Sequence, residues 1–416
     1  TRAGAEESGM VTDTADASAT TRFDSLFRLA AATAVGSVGL AAGGTSGALA
    51  AAEIAGSTSA AGWPLSTLVA GSGAGALLIS RWTRRTGRPA ALAGGYLVGA
   101  TGAIVTAAAI GAENLVLLLA GSAALGFANA AVFLSRYAAS DKTSAIRGRT
   151  MGFILTAAAI GAVAGPNLLG PAGALADAIG LPRVAGLYLV ATVSFGLATV
   201  LHWQGGRGVA RDSTRRLARI PIRLAGPATR RALAVLGATN LAMVATMAIA
   251  PVQMGHNGHD LTVVGIVVSG HVVCMFAPAA LWGWLGDRAG HHIVVALGAA
   301  LLIAAGVSGA AVETTHAGAM TAVLALLGLG WSAGVIGASA LLAESVSAAD
   351  RPGAEAYGEV AMSVGAGAGA PMAGVLAASG SFALLCLAAA AVGLAVLAAA
   401  MQSAAGRTAA RPGVSA

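Results

Sequence analysis

The chain contains about twelve apolar runs of roughly 20 residues each, and that feature constrains its fold more than any other. A helix rising ~1.5 Å per residue needs ~20 apolar residues to cross a ~30 Å hydrocarbon core. The runs predict transmembrane helices near 28–50, 61–80, 90–111, 114–136, 150–171, 183–203, 232–252, 261–282, 293–312, 318–342, 359–378 and 381–401. Hydrophobic residues make up 56% of the chain and charged residues 10%, a balance foreign to soluble domains of this length. Many runs are rich in Gly, Ala and Ser, which let helices approach closely in lipid. The expected fold class is an all-α membrane protein.

Charge supplies the orientation. With both termini on the cytoplasmic side, all but Arg183 of the 24 Lys and Arg fall in cytoplasmic segments, the bias expected of a multi-pass protein of a bacterial-type cytoplasmic membrane. The densest cluster is QGGRGVARDSTRRLARIPIRLAGPATRR, between the sixth and seventh runs. The net charge of +7 therefore reads as topology and contact with anionic lipid, not as nucleic-acid binding. Two cysteines, both in apolar runs, imply no disulfide framework. Residues 1–25 are polar and read as a disordered cytoplasmic tail with no cleavable signal peptide. The remaining divisions are a half of six helices over 26–203, a basic cytoplasmic linker over 204–231, a second such half over 232–402 and a cytoplasmic tail over 403–416. No hydrolytic or phosphate-binding constellation is present, so neither an enzyme nor a resident cofactor is expected.

The two halves echo one another. GWLGDRAGHH follows the eighth run and carries Gly283, Asp287, Arg288 and Gly290 in a Gly-x-x-x-Asp-Arg-x-Gly spacing; SRWTRRTGRP follows the second run but has Ser80 and Arg84 where Gly and Asp would stand. Gly165-Pro166 in the fifth run answers Ala370-Pro371 in the eleventh. Repeats of six helices with a site at their interface are the build of alternating-access transporters. Over residues ~26–402 the chain resembles the major facilitator superfamily. That resemblance implies two pseudo-symmetric six-helix halves and a cytoplasmic latch built on the Asp-Arg loop, weakened in the first half by Arg84. In the fifth run, Gly152, Gly161, Gly165-Pro166 and Leu169-Gly170 resemble a pattern of the superfamily's drug antiporters. The same glycines also serve as a packing face between the halves.

Every Asp and Glu lies in a tail, a loop or near a helix end, with Glu53 and Glu359 nearest to being embedded, which leaves His271 as the ionisable group at mid-membrane. An embedded histidine marks a functional site by default. His271 and Met275 share one helix face in HVVCM, with Cys274 beside them as an accessory thiol; Met243 and Met247 share a face in MVATM. The two runs form an antiparallel hairpin, and Met247 with His271 has the same index sum as Met243 with Met275. Two layers at matching depths, facing a central cavity, are therefore expected. Thioethers and neutral imidazole suit Cu(I) and disfavour Mg, Ca and Mn. Met254, His256, His259 and Asp260 stand at the outer mouth as candidates for capture. His291, His292 and His316 read as solvated loop residues.

Met-x-x-x-Met in helix 7 and His-x-x-x-Met in helix 8 also resemble the CcoA-like copper importers of the superfamily. The resemblance implies copper as transported substrate, with Met243, Met247, His271 and Met275 as metal ligands. It also implies copper-delivery or oxidase-assembly proteins as downstream partners, besides membrane lipid. Some relatives in that branch carry riboflavin, so a drug or metabolite transporter stays open, as does a non-transporting metal receptor or assembly scaffold.

Overall fold

The protein is described by a computed structural model, covering residues 26–40, 46–48, 50–57, 60, 62–140, 146–206, 226–259, 261–311, 316–379 and 382–409. The polar tail 1–25, the central part of the basic linker and Asp260 lie outside the described residues. Among those residues the chain is helical throughout. We number its spans α1 (Leu26–Leu40 and Ser46–Ala55), α2 (Trp63–Thr86), α3 (Arg88–Gly111), α4 (Leu115–Ser140), α5 (Arg147–Asn167 and Leu169–Ala178), α6 (Gly186–Gly206), α7 (Pro227–His256), α8 (Leu261–Phe276 and Ala279–Ala289), α9 (His291–Ala311), α10 (Ala317–Glu344), α11 (Arg351–Ser379) and α12 (Phe382–Ala409).

Nine spans among the described residues are long and apolar enough to cross a membrane. The other three expected spans, α1, α5 and α11, each include residues or side chains outside the description and are not among these nine. The last helix runs to Ala409, well past the expected end near 401. Leu97, Ile104, Val116, Val193 and Leu394 stand more than half exposed on the outside of the bundle, a surface that only lipid would cover without cost.

Within the first half α3 packs on α4 and α6, and α2 on α4; within the second, α9 packs on α10 and α12, and α7 on α11. Small residues set the approach. A Cβ on Gly71 would fall onto the Ala123 carbonyl, and one on Gly306 onto that of Cys386, so these helices meet backbone to backbone. Cys386 is fully buried there, packed between these helices.

The largest contacts between the halves are α2 with α11 and α5 with the end of α8; smaller ones join α5 to α10 and α4 to α11. Pro278 interrupts α8, since a proline lacks the N–H and crowds the preceding turn. The groups freed by the break are met across the interface: Thr156 of α5 donates to Ala277 O at 3.2 Å and accepts from Ala280 N–H at 3.2 Å. Thr156→Val keeps the shape and removes both bonds, leaving polar backbone groups whose exposure to an apolar contact costs about 1–3 kcal/mol. Its thermal unfolding midpoint in detergent is expected below that of the parent protein, with Thr156→Ser in between; equal midpoints would count against this role.

Candidate functional site

The seal between the halves lies toward the end that carries the basic loops. At its rim Asp287 ends α8, and its carboxylate accepts from the backbone N–H of Gly148 at 2.7 Å and of Arg149 at 2.8 Å. A carboxylate at a helix start satisfies orphan donors and opposes the positive end of the helix dipole. The approach needs glycine: a Cβ on Gly283 would fall onto the Gly148 carbonyl, and one on Gly152 onto that of Ala279. Gly290 ends the helix at φ 99°, where L side chains are strained, and Arg288 lies over the Trp284 ring at 4.9 Å. His291 is no solvated loop residue. It is 7% exposed, 3.4 Å from Asp287 and 3.0 Å from Glu344, because helix α9 begins there and turns it into the seal.

The matching corner of the first half uses different chemistry. Ser80 donates to Pro352 O at 2.7 Å, Arg84 reaches Ser80 Oγ at 3.4 Å, and Arg88 pairs with Glu355 at 2.7 Å. Replacing the carboxylate by Arg84 thus leaves a seal built from a hydroxyl and an ion pair.

Of the fifth-run glycines, Gly152 faces the other half, whereas Gly161 packs within its own half against α1. The former fits the packing-face expectation and the latter does not.

Deeper in, polar and aromatic groups converge from both halves. Arg136 of α4 is fully buried and lies 2.7 Å from Glu359 of α11. It donates to Phe133 O at 2.6 Å, Ser339 Oγ at 3.1 Å and Tyr137 Oη at 3.2 Å, and its Nη2 lies 3.8 Å from Met362 Sδ. Asn240 of α7 donates to Met362 O at 2.7 Å and accepts from Trp331 Nε1 at 2.9 Å. Around Trp331 the rings of Phe133 and Phe276 gather, with centroids 6.3 and 5.5 Å away. Arg136 and Glu359 are thus buried ionisable groups in addition to His271, each near an end of its helix. Arg136 is the last residue of the fourth apolar run, 114–136. The positive-inside count absorbed it, and nothing in one sequence pairs it with Glu359 more than 200 residues away.

The Met/His residues can now be placed. His271 is 2% exposed and turned inward, and its Nδ1 lies 2.6 Å from Leu324 O of α10. A carbonyl only accepts, so Nδ1 carries the proton and Nε2 keeps its lone pair. That Nε2 is buried and has no hydrogen-bond partner. Met275 is buried in the apolar cluster against which Met243 packs. Met247 packs against a second cluster, which includes Val267, one turn before His271, and Leu324 itself. Helices α7 and α8 touch only slightly; α10 packs on both and carries the carbonyl that orients the imidazole. Cys274 is partly exposed, with its Cβ beside Gly328 of α10. Among the described residues no group of three His, Cys, Asp or Glu converges to hold a metal ion, so any soft-metal site here depends on methionine sulfur.

The outer set is less coherent. Met254 is fully buried in the second apolar cluster, which corrects its expected place at the mouth: its helix turns it toward the half's own core. His259 is partly exposed, while Asp260 and the His256 side chain fall outside the description.

Comparison with known proteins gives four findings. The pattern of the Major Facilitator Superfamily matches residues 232–413. The uncharacterized MFS-type transporter YddS of Bacillus subtilis is 32% identical over 86% of both chains. The riboflavin transporter RfnT of Brucella anthropi is 28% identical, over 72% of this chain and 75% of its own. Among solved structures, an outward-facing bacterial homologue of the iron transporter ferroportin aligns with a TM-score of 0.72 at 13% identity, over 92% of this chain and 99% of its own, a likeness of fold alone.

Proposed function

Because the chain belongs to the major facilitator superfamily, we propose that it is an alternating-access importer of copper whose substrate is bound by His271 with Met243, Met247 and Met275. One observation carries this reading: the buried His271 has its Nδ1 committed to the Leu324 carbonyl and its Nε2 lone pair unpaired. Metal-binding imidazoles are oriented in this way, one nitrogen held by an oxygen acceptor and the other offered to the metal. Methionine adds neutral sulfur without burying a charge, and a site of few neutral ligands can release Cu(I) as well as hold it. The basic loops then face the cytoplasm, and the seal closes the cytoplasmic side. Gly283, Asp287, Arg288 and Gly290 form the gate that parts for release. Downstream, copper-delivery or oxidase-assembly proteins receive the ion.

The aromatic cluster of Phe133, Phe276 and Trp331, with Asn240 beside it, favours a second reading, a flat organic substrate stacked on those rings. The riboflavin named for one relative is of that kind.

Uptake of radioactive copper and of riboflavin by cells with and without the gene separates the two. Gene-dependent copper accumulation supports the first reading; gene-dependent riboflavin accumulation without copper replaces it with the second. Protonation of Nε2 competes with metal. Copper uptake is therefore expected to fall as external pH drops from about 7.5 to about 5.5, and a flat profile would argue against imidazole as a ligand.

A further inference from the structure

We propose that Met362 of α11 is an exit-side ligand on the copper path, covered by Arg136 while the seal is shut and bared when the halves part. This role rests on the copper reading and adds a step to it, the transfer of the ion out of the ligand set toward the cytoplasm. Met243 and Met275 are the members of that set nearer the basic-loop end, because α7 runs away from that end and α8 runs back toward it. Asn240 stands about one turn before Met243 on α7, and its side chain donates to Met362 O at 2.7 Å. Asn240 also accepts from Trp331 Nε1 at 2.9 Å, and the Trp331 ring meets that of Phe276, the residue after Met275. Met362 is therefore the next methionine toward the basic loops. It is 4% exposed and belongs to the apolar cluster that holds Met275 and against which Met243 packs.

In the closed seal this sulfur is taken. Arg136 Nη2 reaches Met362 Sδ at 3.8 Å from the other half, so the thioether faces a guanidinium. A fixed positive charge that close repels a cation in a low-dielectric interior, and Met362 takes no copper while α4 stays against α11. When the halves part, Arg136 leaves with α4. Met362 stays with the second half, to which Asn240 and its bond to the Met362 carbonyl also belong. The movement that opens a route to the cytoplasm thus uncovers a soft ligand along it. Thioether sulfur suits Cu(I), so a methionine just beyond Met243 and Met275 lowers the cost of leaving them. One Cu–S bond, to Met362, forms as another, to Met243 or Met275, breaks. The ion stays Cu(I), no proton or electron moves, and a thiol or thioether acceptor at the cytoplasmic face then takes it.

The test separates rate from loading. Initial rates of Cu(I) uptake into proteoliposomes, under reducing conditions, are measured over a range of copper concentrations for the full-length parent and two variants. Met362→Leu preserves volume and removes the sulfur. Its maximal rate is expected to fall severalfold, its half-saturating copper concentration not to rise, and its unfolding midpoint in detergent to match the parent's. Met362→Cys is smaller but keeps a soft sulfur, and should transport faster than the Leu variant. A packing role predicts the reverse order, because Cys leaves a void that Leu fills. A Leu variant with the parent's maximal rate, one whose half-saturating concentration rises, or a Cys variant no faster than the Leu variant would overturn the proposal and leave the copper reading standing. Parent vesicles that accumulate no copper would overturn both.

Discussion

His271→Ala is expected to bring copper accumulation down to the level of cells lacking the gene, with membrane abundance close to that of the parent. Loss of a residue that merely orients a metal ligand costs about 10–100-fold in metal affinity, and removal of the ligand nitrogen itself should exceed that. The replacement also empties a buried position whose Nδ1 bond helps fix α8 against α10. His271→Asn, which can still donate to Leu324 O from near the Nδ1 position, separates the two effects. It should be as abundant as the parent and as inactive as Ala. The methionines test sulfur in the same assay. Met→Leu at 243, 247 or 275 preserves volume, so near-normal uptake in the Leu variants would reduce these residues to packing.

The second large effect is steric. Gly283→Val is expected to abolish transport while leaving the protein folded within each half. Any Cβ at Gly283 meets the Gly148 carbonyl, which is backbone and cannot rotate away. The rim of the seal must open by an ångström or more, and Asp287 then loses its bonds to Gly148 and Arg149. Cross-linking between cysteines introduced at Ala280 and Thr156 measures the gap. Cross-links formed as readily as in the parent would show that the rim tolerates the side chain.

Much of this architecture was legible in the sequence because lipid leaves so few choices. Run length marks the helices, arginine placement marks one end of the bundle, and the Gly283–Gly290 spacing marks where the halves meet. The helix breaks were harder to read. Pro278 announces one, but its repair by Thr156 comes from a helix more than 100 residues away. The face that His271 presents was half legible. Helical spacing correctly places it with Met275 and away from lipid, yet the hairpin index argument pairs α8 with α7, and α10 supplies the closer partner. Sequence neighbours need not be packing neighbours when a third helix carries glycine, as α10 does at Gly328, where a Cβ would crowd His271 and Cys274. Glu359 stood out as one of the carboxylates nearest to being embedded, but Arg136 did not, because it sits near a helix end, where a charge ordinarily reaches water. Only packing across the halves buries them.

The central claim is that this chain moves copper through a site containing His271. Purified protein in proteoliposomes, supplied with Cu(I) outside under reducing conditions, tests it without other cellular carriers. The account predicts time-dependent accumulation of copper inside, absent from vesicles carrying the His271→Ala protein. Accumulation no greater than in protein-free vesicles, or equal accumulation by the two proteins, would contradict it.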